Sequence, residues 1–267
     1  MKIGIIGGGF MGEAFMRGIL RAGVAQPSEV TVAELFEQRR EELAQQGVNV
    51  TADAASAVDG AELVLLAVKP QDLPTTAEAL RGAIADGAVV VSIAAGIALK
   101  AVRRHTAHDA CVRVMPNLPA AVGEAAAVYL QSPAVTPEQL ARVLAVIDAV
   151  ATTSFEVYDD VTIDAVTAIS GSGPAYVYVL MEVMVETAVK LGIPQADATQ
   201  LVLTTVAGAA RYAIESGTAP AELRAAVTSR GGTTEAALNV LEAAGWREQF
   251  AEAIEAAFAR GRELGET

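Results

Sequence analysis

The stretch Lys2-Ile3-Gly4-Ile5-Ile6-Gly7-Gly8-Gly9-Phe10-Met11-Gly12 decides the fold of this chain. Its first residues form a nearly all-apolar run, which is typical of a central parallel strand. Apolar residues at helical spacing follow, so the glycines stand between a strand and a helix. Gly7 permits a tight turn, Gly9 lets the backbone approach a pyrophosphate, and Gly12 lets the helix pack against the strand. In this context the glycine pattern predicts a dinucleotide site, in preference to a glycine-rich turn without a ligand.

Apolar segments of strand length recur through the first half and alternate with helical or turn segments. They span residues 29–33, 48–51, 62–68, 88–94, 110–115, 125–130 and 153–158. This alternation predicts an α/β fold with a doubly wound, Rossmann-type parallel sheet. We place this domain at residues 1–159 and an all-helical domain at residues 160–267, because the alternation stops there.

Ligands of doubly wound sheets bind beyond the carboxyl ends of the strands. Three predicted strands end in turn-forming residues, namely Ala67-Val68-Lys69-Pro70, Ala94-Ala95-Gly96 and Met115-Pro116-Asn117-Leu118-Pro119. We expect these segments to line the ligand crevice. Two interpretations of Lys69 stay open, contact with an anionic group of a ligand or exposure to solvent, and Pro70 could simply begin a helix.

An acidic residue at the end of the second predicted strand bears on the choice of cofactor. Glu34 follows the glycine motif by about twenty residues, where a carboxylate accepts hydrogen bonds from the adenosine ribose, and this favours NADH. Arg39 and Arg40 follow within the next helical turn. They could bind the 2′-phosphate of NADPH, or they could form a solvated face with neighbouring glutamates. The sequence leaves the preference between NADPH and NADH open.

The second half consists of predicted helices. A break at Ser170-Gly171-Ser172-Gly173-Pro174 precedes a helix that runs to Leu191 and is apolar almost all round. Such a helix must be covered, and a helical half of about a hundred residues can hardly cover it alone. We therefore expect a second copy of the chain to supply part of the cover, giving a homodimer or a higher homo-oligomer.

The loop Ser229-Arg230-Gly231-Gly232-Thr233-Thr234 joins two of these helices. It is polar and contains two adjacent glycines where helix formers would be expected, which allows close approach of the backbone to a ligand. We interpret it as a binding loop. The alternative is an ordinary turn between helices in which Thr233 or Thr234 is the N-cap.

Composition excludes several classes of partner. A net charge of −13 argues against nucleic acid or an anionic membrane as the main partner. Cys111 is the single cysteine and the chain has two histidines, so we expect neither a disulfide framework nor a metal site. The first strand follows Met1 too closely for a targeting peptide, which predicts a cytoplasmic protein. Glu182, Glu186 and Lys190 argue against a membrane span in the long apolar helix.

Together these motifs resemble the pyrroline-5-carboxylate reductases, which make proline by reducing a cyclic imine with a nicotinamide cofactor. The resemblance covers the whole chain. The segments that carry it are residues 7–12, 67–70, 92–96, 115–117, 170–176, 231–234 and 240–242. Their order and spacing are highly specific, whereas the first glycine motif alone is shared by many dehydrogenases.

The resemblance implies reduction of 1-pyrroline-5-carboxylate to L-proline by hydride transfer from NADPH or NADH, the last step of proline biosynthesis. With Glu34 added, the residues expected at the cofactor are Gly7, Gly9, Phe10, Met11, Gly12, Glu34, Ala67, Val68, Lys69, Pro70, Ala94, Ala95, Gly96 and Asn117. Those expected at the substrate are Ser172, Ser229, Gly231, Gly232, Thr233 and Thr234. Thr234 would lie near the imine nitrogen as the catalytic residue, and the helical domains would form the dimer.

Three positions depart from the family pattern. Arg230 stands where the family loop usually has proline, and Leu118 stands where threonine is usual. Glu34 stands where many members have a small hydroxyl residue suited to NADPH. These departures bear on substrate binding and on the choice of cofactor.

Other functions would require different residues. A β-hydroxyacid dehydrogenase would need a lysine in the second half to move the alcohol proton, and only Lys190 is present there. This lysine follows Glu186 by one helical turn, a spacing that suits a surface ion pair. Another imine reductase, or a sensor that binds the cofactor without turnover, is a further alternative.

Overall fold

A computed structural model of the chain, which describes residues 1–265, contains one eight-stranded sheet. Its strands are β1 (Ile3–Ile6), β2 (Val30–Ala33), β3 (Asn49–Thr51), β4 (Leu63–Leu66), β5 (Val89–Ser92), β6 (Cys111–Met115), β7 (Ala125–Gln131) and β8 (Ala151–Glu156). They lie in the order β3-β2-β1-β4-β5-β6-β7-β8. The first six are parallel, and the reversal of strand order beside β1 is that of a doubly wound sheet. The predicted fold class is confirmed.

The last two strands run against the first six. β7 pairs with β6 in antiparallel orientation, and β8 pairs in parallel with β7. A parallel partner needs a crossover of a dozen or more residues, but β6 and β7 are joined by a short connection that holds only the 3₁₀ turn Leu118–Val122. The chain therefore turns back, and the two antiparallel neighbours were not foreseen in the sequence.

Helices cover the sheet, and their apolar faces form two hydrophobic clusters. The helices are α1 (Phe10–Arg21), α2 (Glu37–Ala44), α3 (Ala54–Val58), α4 (Leu73–Ala79), α5 (Leu99–Thr106) and α6 (Pro137–Asp148). Neighbouring residues of β1 enter different clusters, since Ile5 packs with Phe15 and Ile6 packs with Leu66. Both faces of the strand are buried, which explains why its residues do not alternate between apolar and polar.

Six further α-helices lie within residues 160–265. They are α7 (Asp160–Val166), α8 (Gly173–Lys190), α9 (Gln195–Ser216), α10 (Pro220–Ala226), α11 (Thr233–Ala243) and α12 (Trp246–Gly265). The predicted break is a π-helical turn at Thr167–Gly171, followed by a bend at Ser172. Pro174 is the second residue of α8, where its missing N–H costs no hydrogen bond.

The chain divides into two compact units. One comprises residues 1–172 with the chain from Ala257 onward, and the other comprises residues 173–256. The domain boundary placed at 159/160 from the sequence stays a prediction.

The second unit leaves much apolar surface uncovered. Of its residues only Ala198 and Val202 are buried, whereas Val179 and Val183 on α8 are 58% and 55% exposed. By length and composition alone, the helical run Asp160–Lys190 could also cross a membrane. Within the unit Trp246, the first residue of α12, stacks on Phe250 with ring centroids 5.2 Å apart. The exposed apolar residues of α8 require a surface that covers them.

Candidate cofactor and substrate sites

The glycine turn between β1 and α1 is built for close backbone approach. Gly7 has a φ of 104°, and a Cβ placed there would lie 2.8 Å from the carbonyl oxygen of Ala67. A Cβ at Gly12 would lie 2.0 Å from the carbonyl oxygen of Gly7. At Gly9, by contrast, nothing lies within 4 Å of an added Cβ. The turn therefore needs glycine for packing at two positions and leaves open space at the third, as a pyrophosphate at a helix start requires.

The other segments predicted at the cofactor lie at the same edge of the sheet. The amide of Ala67 donates to the carbonyl oxygen of Ile6 at 2.8 Å, which ties the end of β4 to the glycine turn. Residues 94–96 follow β5, and Gly96 has a φ of 74°. Lys69 is exposed and its side chain forms no hydrogen bond or ion pair within residues 1–265, and Pro70 begins a 3₁₀ turn. Both open interpretations of Lys69 thus remain compatible with its position.

Glu34 directly follows β2 at this edge of the sheet. Its Oε2 accepts a hydrogen bond from the amide of Gly8 at 3.0 Å, and its Oε1 accepts one from the amide of Phe36 at 3.0 Å. Its own amide donates to the carbonyl oxygen of Thr51 at 2.9 Å, at the end of β3. The carboxylate is consequently fixed against the glycine turn, and its contact with a ribose stays a prediction.

Arg39 also reaches the glycine turn, a contact that the sequence did not indicate. Its Nε donates to the carbonyl oxygen of Gly8 at 2.8 Å, and its guanidinium forms ion pairs with Glu13 and Glu42. The hydrogen bonds that Arg39 donates to these carboxylates raise its pKa. Burial alone would raise the pKa of Glu13, but the hydrogen bonds and charges of Arg39 and Arg17 outweigh it, so this pKa is lowered. Arg39 is therefore a charged, immobilised group.

Asn117 follows β6 and links two parts of the fold. Its Nδ2 donates to Ser170 Oγ at 3.2 Å, and its Oδ1 accepts from the amide of Ala126 at 3.1 Å. Ser170 lies in the π-helical turn, which the bond from the Ser172 amide to the Thr167 carbonyl oxygen at 2.8 Å closes. π-Helical turns occur frequently at functional sites. The sequence singled out Asn117 and Ser172, and the structure adds Ser170 as the partner that orients Asn117.

The residues predicted at the substrate, Ser172 excepted, form a loop in the second unit. Gly232 is the N-cap of α11, and Thr233 and Thr234 are its first two residues. The alternative of a threonine N-cap is therefore wrong, because the helix begins at least one residue earlier than that alternative requires, with Gly232 in an extended conformation before it. A Cβ at Gly232 would lie 2.5 Å from Ser229 Oγ. Gly231 has a φ of 74°, which favours glycine.

A glutamate holds this loop in shape. The amide of Gly231 donates to Glu235 Oε2 at 2.7 Å, so a side chain in the first turn of α11 reaches back to the loop. Arg230, the position that departs from the family pattern, is exposed and has no ion pair within the described part of the chain. Sequence reasoning missed Glu235, and its place three residues after the N-cap Gly232, the spacing of a capping box, is the signal that could have found it.

Metal ligands do not cluster in the described chain. Within residues 1–265 no group of three or more His, Cys, Asp and Glu side chains could hold a metal ion. Cys111 is buried in β6, and burial raises the pKa of its thiol to about 11.

Comparison with known proteins gives one family match in each half of the chain and a relative that matches over the whole length. A family model described as pyrroline-5-carboxylate reductase dimerisation matches residues 160–264, and one described as NADP oxidoreductase, coenzyme F420-dependent, matches residues 2–96. A curated pyrroline-5-carboxylate reductase of Synechocystis sp. is 40% identical over 99% of this chain and 98% of its own length.

Solved structures extend the similarity to the fold. A pyrroline-5-carboxylate reductase from Coxiella burnetii has a TM-score of 0.90 and 33% identity, covering 100% of this chain and 99% of its own. The Plasmodium falciparum pyrroline carboxylate reductase, solved with NADP bound, has a TM-score of 0.90 and 25% identity, covering 99% of this chain and 98% of its own.

Proposed function

Because this chain belongs to the pyrroline-5-carboxylate reductase family, we propose that it reduces 1-pyrroline-5-carboxylate to L-proline with NADPH or NADH, the last step of proline biosynthesis. The main support is similarity over the whole length at 40% identity. The glycine turn supplies the second support, since only Gly9 faces open space while Gly7 and Gly12 are packed against backbone.

The reaction adds a hydride to the imine carbon and leaves one proton on the ring nitrogen. The reduced nicotinamide supplies the hydride, and the protonated imine is already an electrophile. Positioning of the reacting atoms can then carry most of the catalysis. The protein needs no histidine base, which agrees with a chain whose two histidines lie outside the proposed sites at positions 105 and 108.

The proposed substrate loop has the chemistry for a small anionic ring. The amides of Thr233 and Thr234 stand at the start of α11, where backbone N–H groups and the helix dipole favour a carboxylate. Thr234 is half-buried, and we assign its hydroxyl to the imine nitrogen. Ser172 and Ser229 are the further polar groups that we assign to the substrate. Asn117, which Ser170 holds in place, is assigned to the nicotinamide together with Ala95.

We also propose that the chain forms a homodimer through its helical part. The uncovered apolar surface of α8 supports this, and so does the match of residues 160–264 to a dimerisation model. A bilayer is the less suitable cover, because Glu182, Glu186 and Lys190 lie within α8. Sedimentation of the purified chain tests the assembly, and a monomer at micromolar concentration would contradict it.

The activity is tested with two substrates in parallel, by following the oxidation of NADH and NADPH with 1-pyrroline-5-carboxylate and the reduction of NAD⁺ and NADP⁺ with a β-hydroxyacid. We expect turnover with 1-pyrroline-5-carboxylate and none with a β-hydroxyacid run in the reverse direction. A chain that binds the cofactor but turns over neither would be a sensor instead.

The assignment of Thr234 is tested by Thr234→Ala, which should lose most of kcat/KM for 1-pyrroline-5-carboxylate. Thr199→Ala is the matched control, because the Thr199 hydroxyl only donates to a carbonyl oxygen of its own helix, at 2.9 Å. Wild-type rates in Thr234→Ala would refute the assignment.

A further inference from the structure

We infer that this chain binds NADH in preference to NADPH, and that Glu34 sets the preference while Arg39 is withheld from the 2′-phosphate. The inference rests on the proposed use of a nicotinamide cofactor. The choice between the two cofactors depends on a single phosphate on the adenosine ribose, so the groups that surround that ribose decide it.

The carboxylate of Glu34 is fixed where the ribose is expected. It accepts a hydrogen bond from Gly8 in the glycine turn, at 3.0 Å, and a second from Phe36, at 3.0 Å. These two amides hold the side chain without neutralising its charge. A carboxylate in this place can accept hydrogen bonds from the ribose hydroxyls, but it repels a phosphate attached to the 2′ oxygen.

The two nearby arginines are already engaged. Arg39 donates to the carbonyl oxygen of Gly8 and pairs with Glu13 and Glu42, so two carboxylates balance its charge. Arg40 donates through Nη1 to the carbonyl oxygens of Glu34 at 2.9 Å and Leu35 at 2.7 Å. A 2′-phosphate would have to displace these partners before it could pair with either guanidinium. The two arginines instead bind backbone carbonyl oxygens on either side of the Glu34 carboxylate, in the glycine turn and in the loop after β2.

The two residues directly after Glu34, Leu35 and Phe36, have no side-chain group that could bind a phosphate. Leu35 and Phe36 are 80% and 75% exposed, although large apolar side chains are usually covered. They form an apolar surface beside the ribose position, which suits the face of an adenine ring. A hydroxyl or a free cation at position 35 would have suited the phosphate of NADPH instead.

The test measures dissociation constants of NADH and NADPH for the purified full chain without substrate, by the change in nicotinamide fluorescence or by calorimetry. We expect NADH to bind at least about tenfold more tightly. Glu34→Ser should reduce or reverse this ratio, mainly by tightening NADPH. Glu34→Gln, which removes the charge and keeps one of the two acceptor oxygens, should shift the ratio in the same direction. Glu37→Ser is the matched control, because Glu37 is exposed and forms no side-chain bond within residues 1–265, and its ratio should equal that of the wild type.

The outcomes separate this inference from the proposed function. Equal affinities in the wild type, tighter NADPH, or an unchanged ratio in Glu34→Ser would overturn the inference, while reduction of 1-pyrroline-5-carboxylate would still support the function. Tight NADH binding without turnover would sustain the inference and contradict the function.

Discussion

Arg113 in the middle of β6 donates through Nη1 to Asp160 at 2.6 Å, so the centre of the sheet holds the first turn of α7. The arginine side chain is only 2% exposed, and its Nη2 donates to Asp164 at 2.9 Å. Asp160 also accepts from the amide of Leu99 at 3.1 Å, at the start of α5. One buried cation thus joins a strand and two helices, immediately before the π-helical turn that carries Ser170.

Removal of this cation should destabilise the protein strongly. Arg113→Met leaves two carboxylates without their partner, and we expect a loss of about 3–5 kcal/mol in the free energy of unfolding. Arg142→Met is the control, because Arg142 and Glu62 form a partly exposed pair at 3.5 Å that should contribute less than about 1 kcal/mol. Denaturant titration measures both. Similar losses in the two variants would contradict the importance of the buried network.

Two substitutions in the glycine turn should separate folding from cofactor binding. Gly12→Ala places a methyl group 2.0 Å from the carbonyl oxygen of Gly7, and we expect it to cost about 3 kcal/mol or more of stability. Gly9→Ala meets no atom within 4 Å, so its stability should stay within about 0.5 kcal/mol of the wild type. Its methyl group fills the space proposed for the pyrophosphate, however, and should weaken NADH binding at least about tenfold. Unchanged affinity in Gly9→Ala would show that the dinucleotide binds elsewhere.

Glu235 should position the substrate loop through its hydrogen bond to Gly231. We expect Glu235→Ala to raise KM for 1-pyrroline-5-carboxylate about fivefold, since one exposed hydrogen bond of about 1 kcal/mol then no longer orders the loop. Glu235→Gln keeps an acceptor for the amide and should stay near the wild-type KM. The control is Glu222→Ala on α10, an exposed glutamate without a side-chain bond in the described chain. If glutamine acts like alanine, the charge of Glu235 matters and the hydrogen bond does not.

Cys111 should be unreactive in the folded protein. Its thiol donates to the carbonyl oxygen of His108 at 3.2 Å, and burial raises its pKa from 9.0 to about 11. Near pH 8 only about one thousandth of the thiol is ionised, so a disulfide reagent should label it very slowly until denaturant exposes it. Rapid labelling of the native chain would contradict this burial.

The raised pKa of Cys111 also makes the free energy of unfolding depend on pH. The folded-state pKa lies above that of the unfolded chain, so the contribution of this thiol is full below pH 9.0 and is lost as the pH rises through about 11. Unfolding free energies of the wild type and of Cys111→Ala should therefore converge over this range.

Much of the architecture followed from local pattern. The run from Lys2 to Gly12 predicted β1, the glycine turn and α1, and each proved correct because strand, turn and helix signals lie within a few residues of one another. The long helix after the predicted break was also placed correctly, since it ends at Lys190, one residue before the predicted Leu191, and Gly192 follows. The antiparallel orientation of β7 was missed although the sequence carries its signal, because the nine residues between the predicted strands 110–115 and 125–130 are too few for a parallel crossover.

By itself, the sequence determined which segments become strands and helices and which glycines form the turn between β1 and α1, because those properties depend on neighbouring residues. Only the tertiary structure decided that Arg39 is held by Glu13, that Ser170 orients Asn117, and that Arg113 is paired inside the sheet. Each of these contacts joins residues more than twenty positions apart, and the charge or polarity of a side chain does not reveal its partner. The physical reason is that folding of the backbone, not spacing along it, brings such groups within hydrogen-bonding distance.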